Sequence, residues 1–127
     1  MEQPAGNKIT GNPSSHPALS VKWVEDFPDI PLNRNEAYKL RVTSKGVEIE
    51  AITETGVYRA IQTLRQLTEK KGNGIAITGC EITDWPAFRI RGFMQDVGRT
   101  YISTDELKRE IAILARYKIN VFHWHLT

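Results

Sequence analysis

The sequence is short of cysteine and of long apolar runs. A single cysteine, Cys80, stands among 127 residues, which excludes an intrachain disulfide framework. No apolar run approaches the length that a membrane span requires. The opening residues, MEQPAGNK, lack the apolar core of a signal peptide. The sequence therefore predicts neither a disulfide-stapled fold nor a transmembrane helix, and it shows no signal peptide.

The sequence also has little excess of charge of either sign. Lys and Arg number 17 against 15 Asp and Glu, so the net charge is +2, and no block of like charge exceeds two residues. Basic stripes interleaved with aromatic residues, which are typical of nucleic-acid binding, do not occur. With 40% hydrophobic and 25% charged residues, the composition is that of a soluble globular protein with one modest core. We therefore expect no nucleic-acid partner.

The first part of the chain divides into an arm and a small domain. Residues 1–17 are rich in Gly, Pro, Ser and Asn, which predicts a flexible N-terminal arm. Residues 18–86 follow as a predicted α+β domain, with an edge strand near Ala18–Phe27 that the prolines after it end. Punctuation at Asp84–Ala87 (DWPA) places the domain boundary there, so that residues 87–127 form a separate piece.

The centre of this domain carries a hairpin signal and a helix signal. Tyr38–Val42 and Val47–Ala51 alternate apolar and polar residues around the turn TSKG, which predicts an antiparallel hairpin. Apolar residues in Val57–Leu67 then recur at helical spacing, with Thr53 or Thr55 as cap and Gly72 as the end. A further strand is predicted over residues 74–82. The fold class is therefore α+β, a small antiparallel sheet with a helix on one face.

The last forty residues predict a strand, a helix and a second strand. Phe88–Val97 is an apolar-rich run that Gly98 ends, and Ile119–Leu126 is another. Between them Ser103 and Glu106 have the spacing of a capping box at the start of a helix. Such a βαβ unit has parallel strands, and a parallel sheet is normally covered on both faces. One unit cannot supply that cover, so we expect the beginning of a larger structure.

Arg91 is the strongest single candidate for binding. Its guanidinium is a rigid fork of donors that matches two neighbouring sugar hydroxyls, although a surface or ion-paired arginine fits the pattern as well. Asp96 and Arg99 lie three residues apart around Gly98. We interpret them as a pair that fixes the loop after the strand, and general acid–base work by Asp96 is the weaker alternative, because no partner carboxylate can be identified.

His123 and His125 lie on one face of the second strand. This spacing also occurs in metal sites, so a metal-dependent barrel hydrolase is an alternative hypothesis. Two ligands do not make a site, and the rest of the chain adds only His16. We therefore interpret both histidines as hydrogen-bonded residues of the wall, with no metal. No nucleophilic serine motif occurs, and Cys80 lies far upstream.

These residues carry a resemblance. Arg91-Gly92, the Asp96-x-x-Arg99 spacing and the run KINVFHWHLT at residues 118–127 resemble the opening of the catalytic barrel of family 20 glycoside hydrolases, the β-N-acetylhexosaminidases. Tyr58–Leu67 and the ITDWPAF run at residues 82–88 are similar to the end of the α+β domain that precedes that barrel. The resemblance implies that residues 87–127 are the first strand, helix and second strand of a truncated (β/α)8 barrel.

The resemblance also implies an activity. Family members remove terminal N-acetyl-hexosamine residues from glycans without a cofactor, by a retaining mechanism in which the substrate's own acetamido oxygen attacks. It implies that Arg91 holds hydroxyls of the sugar. It also implies an Asp-Glu pair from a later strand, in which the Asp stabilises the acetamido group and the Glu protonates the leaving oxygen. That later strand is absent here, so we expect the chain alone to be inactive. A periplasmic or secreted location is expected from the family. A non-catalytic carbohydrate- or protein-binding module is the remaining alternative.

Overall fold

The computed structural model describes residues 8–9 and 18–126. In chain order the elements are β1 (Lys8–Ile9), β2 (Ala18–Trp23), a 3₁₀ turn (Arg34–Glu36), β3 (Tyr38–Thr43), β4 (Gly46–Ala51), α1 (Glu54–Leu67), β5 (Thr68–Lys71), β6 (Gly74–Thr78), β7 (Cys80–Asp84), β8 (Gly92–Asp96), α2 (Thr104–Arg116) and β9 (Val121–His125). The chain divides into two compact units, Met1–Ala87 and Phe88–Thr127. Within the described ranges, no helix is long and apolar enough to cross a membrane.

The predicted hairpin of the first unit is confirmed. β3 and β4 pair antiparallel from Tyr38 opposite Ala51 to Thr43 opposite Gly46, around a tight turn. The alternation buries one face, because Leu40 and Ile49 are almost fully enclosed while the charged residues between them stay accessible. Gly46 has φ 149, and a Cβ there would lie 2.4 Å from the carbonyl oxygen of Ala18, so only glycine fits this end of the hairpin.

The sheet around the hairpin is mixed. Its strand order is β2-β4-β3-β7, with β7 antiparallel to β3 and β2 parallel to β4. The sequence predicts an edge strand near Ala18–Phe27 without giving its direction, and the edge position is confirmed. β4, β3 and β7 form the antiparallel part of the sheet. The connection 24–37 accounts for the direction of β2, because it joins Trp23 to Tyr38, and both residues flank Ala51 at the same end of the sheet. β2 therefore runs opposite to β3 and in the same direction as β4. That connection has its own apolar cluster of Phe27, Ile30 and Ala37.

The first helix covers the buried face of the sheet, as predicted. Thr53 is its N-cap, with its hydroxyl accepting from the backbone N–H of Gly56. Ala60 is fully buried against the hairpin. The other residues of the apolar stripe pack around that core: Val57, Ile61, Leu64 and Leu67. The 3.6-residue period of the stripe therefore matches the surface that the alternating strands provide.

The end of α1 differs from the prediction. The helix stops at Leu67, and β5 follows at once, paired antiparallel with β6. Gly72 has φ 58 and belongs to the turn of this second hairpin instead of ending the helix. The run Gly72-Asn73-Gly74 has the composition of a tight hairpin turn, and that turn chemistry overrides helix extension. Lys70 and Lys71 lie in β5, beyond the end of the helix.

The single strand predicted over residues 74–82 is two strands. β6 pairs with β5 and with the short strand β1 in a three-stranded sheet, whereas β7 joins the four-stranded sheet. Gly79 separates them, since it stands between Thr78 and Cys80. Of the arm predicted over residues 1–17, residues 1–7 and 10–17 lie outside the described part of the chain.

The second unit is the predicted βαβ unit. β8 and β9 pair in parallel from Gly92 opposite Val121 to Asp96 opposite His125, and α2 connects them. Ser103 and Glu106 form the predicted capping box. β8 is shorter than the predicted strand, because the residues before Gly92 leave the ladder. On α2, Leu107 is buried, whereas Ile111, one turn later, is 46% exposed.

Candidate functional site

The parallel pair has two chemically different ends. Because β8 and β9 run in the same direction, their amino ends share one edge and their carboxyl ends share the other. Arg91 directly precedes β8 and so lies at the amino edge. Asp96 and His125 are register partners at the carboxyl edge, where the loop carrying Arg99 begins. The sequence-predicted site residues are therefore divided between opposite ends of the unit.

At the amino edge, Arg91 is engaged by the backbone. Its Nε donates to the carbonyl oxygen of Lys118 at 2.8 Å, and its Nη1 donates to that of Phe88 at 2.8 Å. Asn120 completes the network, since its Oδ1 accepts from the N–H of Arg91 at 2.9 Å and its Nδ2 donates to the carbonyl of Arg89 at 2.8 Å. This guanidinium and this amide thus tie the starts of the two strands together.

At the carboxyl edge, Asp96 organises the loop that leaves β8. Its Oδ1 accepts from the N–H of Gly98 at 2.9 Å, and its Oδ2 lies 3.6 Å from Nε of Arg99. The N–H of Val97 donates to the carbonyl of His125 at 2.9 Å and continues the ladder. The Arg99 side chain is 91% exposed while that of Asp96 is 30% exposed. The loop therefore presents a cationic fork beside a fixed carboxylate.

The two faces of the strand pair differ in polarity. One face carries Met94, Asp96, His123 and His125, and the other carries Phe93, Gln95, Phe122 and Trp124. The rings of His123 and His125 meet edge to face at 5.9 Å. Phe93 and Phe122 stack at 6.4 Å on the opposite face. The carboxyl edge thus has a polar face on which imidazoles and a carboxylate are neighbours.

Other reactive groups within the described residues are already engaged or isolated. No three His, Cys, Asp or Glu side chains of residues 8–9 and 18–126 are grouped so that they could hold a metal ion. The adjacent acidic pair Asp105-Glu106 belongs to the start of α2. Glu106 Oε2 accepts from Ser103 Oγ at 2.7 Å and Ser103 N at 3.0 Å, and these bonds lower the pKa of Glu106. Burial raises the pKa of the Cys80 thiol, which disfavours a thiolate nucleophile.

Asn120 and Lys118 take part in this arrangement without having been predicted. Lys118 has φ 62, a left-handed conformation that turns the chain from α2 into β9 and directs its carbonyl to Arg91. A lysine at the end of a helix is already explained by the helix dipole, so the sequence offers no reason to expect that its carbonyl accepts a hydrogen bond from Arg91. An asparagine just before an apolar run does signal a turn, and that signal could have drawn attention to Asn120.

The fold and the site together define a class of protein. A helix-covered sheet domain is followed along the chain by a parallel βαβ unit with polar groups at its carboxyl edge, which is the building plan of a (β/α)8 enzyme with a preceding α+β domain. Residues 4–85 match glycosyl hydrolase family 20, domain 2, and residues 88–127 match the catalytic domain of the same family. The chain belongs to glycoside hydrolase family 20.

Individual relatives agree with this assignment. The β-hexosaminidase of Porphyromonas gingivalis is 41% identical over 99% of this chain and 15% of its own length. The β-N-acetylhexosaminidase of Cellulomonas fimi is 40% identical over 87% of this chain and 22% of its own length. The chain therefore spans about a fifth or less of these relatives.

Solved structures agree as well. The β-N-acetylhexosaminidase of Bacteroides fragilis superposes with a TM-score of 0.75 at 37% identity, covering 86% of this chain and 21% of that one. An exo-β-N-acetylglucosaminidase of Vibrio harveyi, solved in complex with N-acetylglucosamine, gives a TM-score of 0.72 at 37% identity, with 86% and 16% covered. At this identity the comparison supports a common family as well as a common fold.

Proposed function

We propose that this chain is part of a β-N-acetylhexosaminidase that removes terminal N-acetyl-hexosamine residues from glycans. The observation that carries the proposal is the match of residues 88–127 to the catalytic domain of family 20, in a segment that forms a parallel βαβ unit. The Vibrio harveyi relative, solved with N-acetylglucosamine, supports an N-acetylated sugar as the substrate. A metal-dependent hydrolase and a stand-alone binding module have no comparable support.

The proposed chemistry is retaining and assisted by the substrate. The 2-acetamido oxygen of the sugar attacks the anomeric carbon, one carboxylate orients that group, and an adjacent carboxylic acid protonates the leaving oxygen and then activates water. No cofactor is required. Within this chain the acidic neighbours Asp105-Glu106 start a helix, and Glu106 is engaged by Ser103. The catalytic pair is therefore proposed to come from another part of a longer polypeptide.

The substrate is proposed to lie at the carboxyl ends of β8 and β9. Barrel enzymes of this class bind their substrates there, because the βα loops that surround the site all leave from that edge. Arg99 leaves from it with an exposed guanidinium, and Asp96 holds the loop. His125 is proposed to support Asp96 from the neighbouring strand. His123, two residues earlier on β9, is proposed to line the same face of the strand pair.

The role expected for Arg91 stays a prediction, and its surroundings favour a structural role. Its guanidinium donates to two carbonyls at the amino edge, at the opposite end of the strands from the loop of Arg99. Of the two arginines, Arg99 is therefore the better candidate for holding sugar hydroxyls through its fork of donors.

A pair of conservative substitutions in the full-length protein tests this assignment. Lysine keeps the charge but loses the fork, so Arg99→Lys should lower kcat/KM by roughly one to two powers of ten with an unchanged melting temperature. Arg91→Lys should lower the melting temperature and leave kcat/KM of the folded enzyme nearly unchanged. Arg116→Lys, on the exposed end of α2, is the matched control and should change neither quantity. The opposite pattern would return the sugar-binding role to Arg91.

The activity itself is tested with the unmodified full-length protein. It should hydrolyse aryl N-acetyl-β-glucosaminides or galactosaminides with retention at the anomeric carbon. An absence of turnover on both substrates would contradict the proposed function, whatever the arginine variants do. Export to the periplasm or the medium, expected from the family, stays a prediction that fractionation of cells would check.

A further inference from the structure

The turn between β5 and β6 has an unusual chemical composition. The register of this hairpin pairs Lys71 with Gly74, so Gly72 and Asn73 are the two residues of the turn. Gly72 takes φ 58, the left-handed conformation that a tight hairpin turn demands. Asn73 and Gly74 are both exposed. An asparagine amide therefore lies in a solvated turn, directly before a glycine.

The space beside Cα of Gly74, where any other residue would carry a side chain, is open. A Cβ built at Gly74 would meet only the carbonyl oxygen of Lys71, at 3.8 Å, within 4 Å. Of the six asparagines in the sequence, Asn73 is the only one that precedes a glycine. The backbone nitrogen of the residue that follows an asparagine is the nucleophile that can attack Cγ of the asparagine side chain. The attack requires near-attack geometry between these two atoms.

We propose that Asn73 is a site of spontaneous deamidation. The backbone nitrogen of Gly74 loses its proton and attacks Cγ of Asn73, forming an N–Cγ bond. The Cγ–Nδ2 bond breaks, and ammonia leaves with the proton. Water then opens the resulting succinimide at either carbonyl, leaving an aspartyl or isoaspartyl residue at position 73. No oxidant, reductant or enzyme is needed.

Two other asparagines of the described residues have side chains that are held by hydrogen bonds. Asn120 donates through Nδ2 to the carbonyl of Arg89 and accepts through Oδ1 from the N–H of Arg91. Asn33 donates through Nδ2 to the carbonyl of Pro86 at 2.8 Å. Hydrogen bonds of this kind restrain the side-chain amide, and neither residue precedes a glycine. They serve as internal controls.

The modification would alter the hairpin. An isoaspartyl linkage adds one carbon to the backbone of a turn whose length sets the register between β5 and β6. Either product also places a carboxylate beside Lys71, where a neutral amide stood. The expected consequence is weaker pairing of Lys70 with Ile75 and Glu69 with Ala76, while the four-stranded sheet keeps its register.

Incubation of the purified chain tests the proposal directly. Peptide mass spectrometry should show conversion of the amide to the acid in the peptide containing Asn73, with isoaspartate among the products. Conversion should accelerate as the pH rises above neutrality, because the nucleophile is the deprotonated nitrogen. The peptides containing Asn33 and Asn120 should keep their amides over the same period.

A matched variant separates this route from simple hydrolysis. Gly74 has no left-handed φ and has room for a methyl group, so Gly74→Ala should fold normally and slow conversion on the order of tenfold by hindering the attack. Asn73→Ser should abolish the product in this peptide. An amide at Asn73 that persists as long as that of Asn120 would overturn the proposal, and so would equal rates in the wild type and Gly74→Ala.

Discussion

At the scale of single residues, the least expected feature is a buried ion pair in the first unit. Arg59 on α1 is 7% exposed, and its Nη2 and Nε both lie 2.9 Å from Oε2 of Glu36. Glu36 ends the 3₁₀ turn that leads into β3. The pair therefore fixes the connection 24–37 to the helix that covers the sheet, and each charge compensates the other where water is excluded.

Removing one partner of this pair should be costly. Glu36→Ala leaves the guanidinium buried and uncompensated, which is expected to lower the free energy of unfolding by about 3–5 kcal/mol. Glu81→Ala is the matched control, because Glu81 pairs with Arg41 at 2.8 Å on the exposed face of the same unit. An exposed pair is worth about 1 kcal/mol or less. Urea unfolding of both variants measures the difference, and equal losses would contradict the structural importance of the buried pair.

At the scale of elements, the start of α2 is held by hydrogen bonds between residues only three positions apart. Ser103 Oγ accepts from the N–H of Glu106, and the Glu106 carboxylate reaches back to the N–H of Ser103. The hydroxyl of Ser103, followed by its backbone N–H, lowers the pKa of Glu106 from its ordinary value of 4.5. Two free N–H groups at the helix start are thereby satisfied by residues only three positions apart.

This lowered pKa predicts a dependence of stability on pH. A depressed pKa in the folded state means that the contribution of Glu106 is fully present above pH 4.5, its unfolded value, and is lost as the pH falls through the folded value. Glu106→Gln should therefore lower the melting temperature near neutrality, and its difference from the wild type should shrink under acid. Melting curves across this range measure it.

Ser103→Ala provides the check on that interpretation. If the serine hydroxyl is the main cause of the shift, this variant should lose most of the same pH-dependent stability, and the double variant should add little to it. A difference between Glu106→Gln and the wild type that stays constant through the acidic range would argue against the capping box as its source.

At the scale of the whole molecule, the chain combines a domain that has its own hydrophobic core with a unit that has a much smaller one. The first unit encloses Tyr38, Leu40 and Ile49 between the sheet and α1. The second unit has two parallel strands and one connecting helix. A complete barrel requires about 250 residues. The unit can therefore present part of a substrate site, but it supplies only two strands of the wall.

The purified 127-residue chain should therefore show no hydrolysis of aryl N-acetyl-β-glucosaminides above the uncatalysed rate. Its acidic neighbours Asp105-Glu106 lie at the start of α2, where the carboxylate of Glu106 accepts from Ser103. A sensitive fluorogenic substrate and a full-length relative as positive control make the measurement. Turnover that disappears when Asp96 or Glu106 is changed would show that this chain carries its own catalytic group.

The sequence by itself determined the features that depend on neighbours a few positions away. The alternation of Tyr38–Val42 predicted the hairpin, and the spacing of Ser103 and Glu106 predicted the capping box. The helix stripe before Leu67 and the parallel unit of residues 88–127 follow from the same local periodicities. Each of these signals is local because its hydrogen bonds or its pattern of burial repeat within a turn or a strand.

Only the tertiary structure decided what depends on residues far apart in the sequence. The sequence indicated Arg91 as a candidate for binding but could not show that its guanidinium donates to the carbonyls of Lys118 and Phe88 at the amino edge. The same holds for the burial of Arg59 and for the direction of β2, which follows from the position of β4 between β2 and β3. Long-range pairing selects one partner among many with similar local signals. The candidate residues could therefore be named from the sequence, but their division between the amino and carboxyl edges of the strand pair could not.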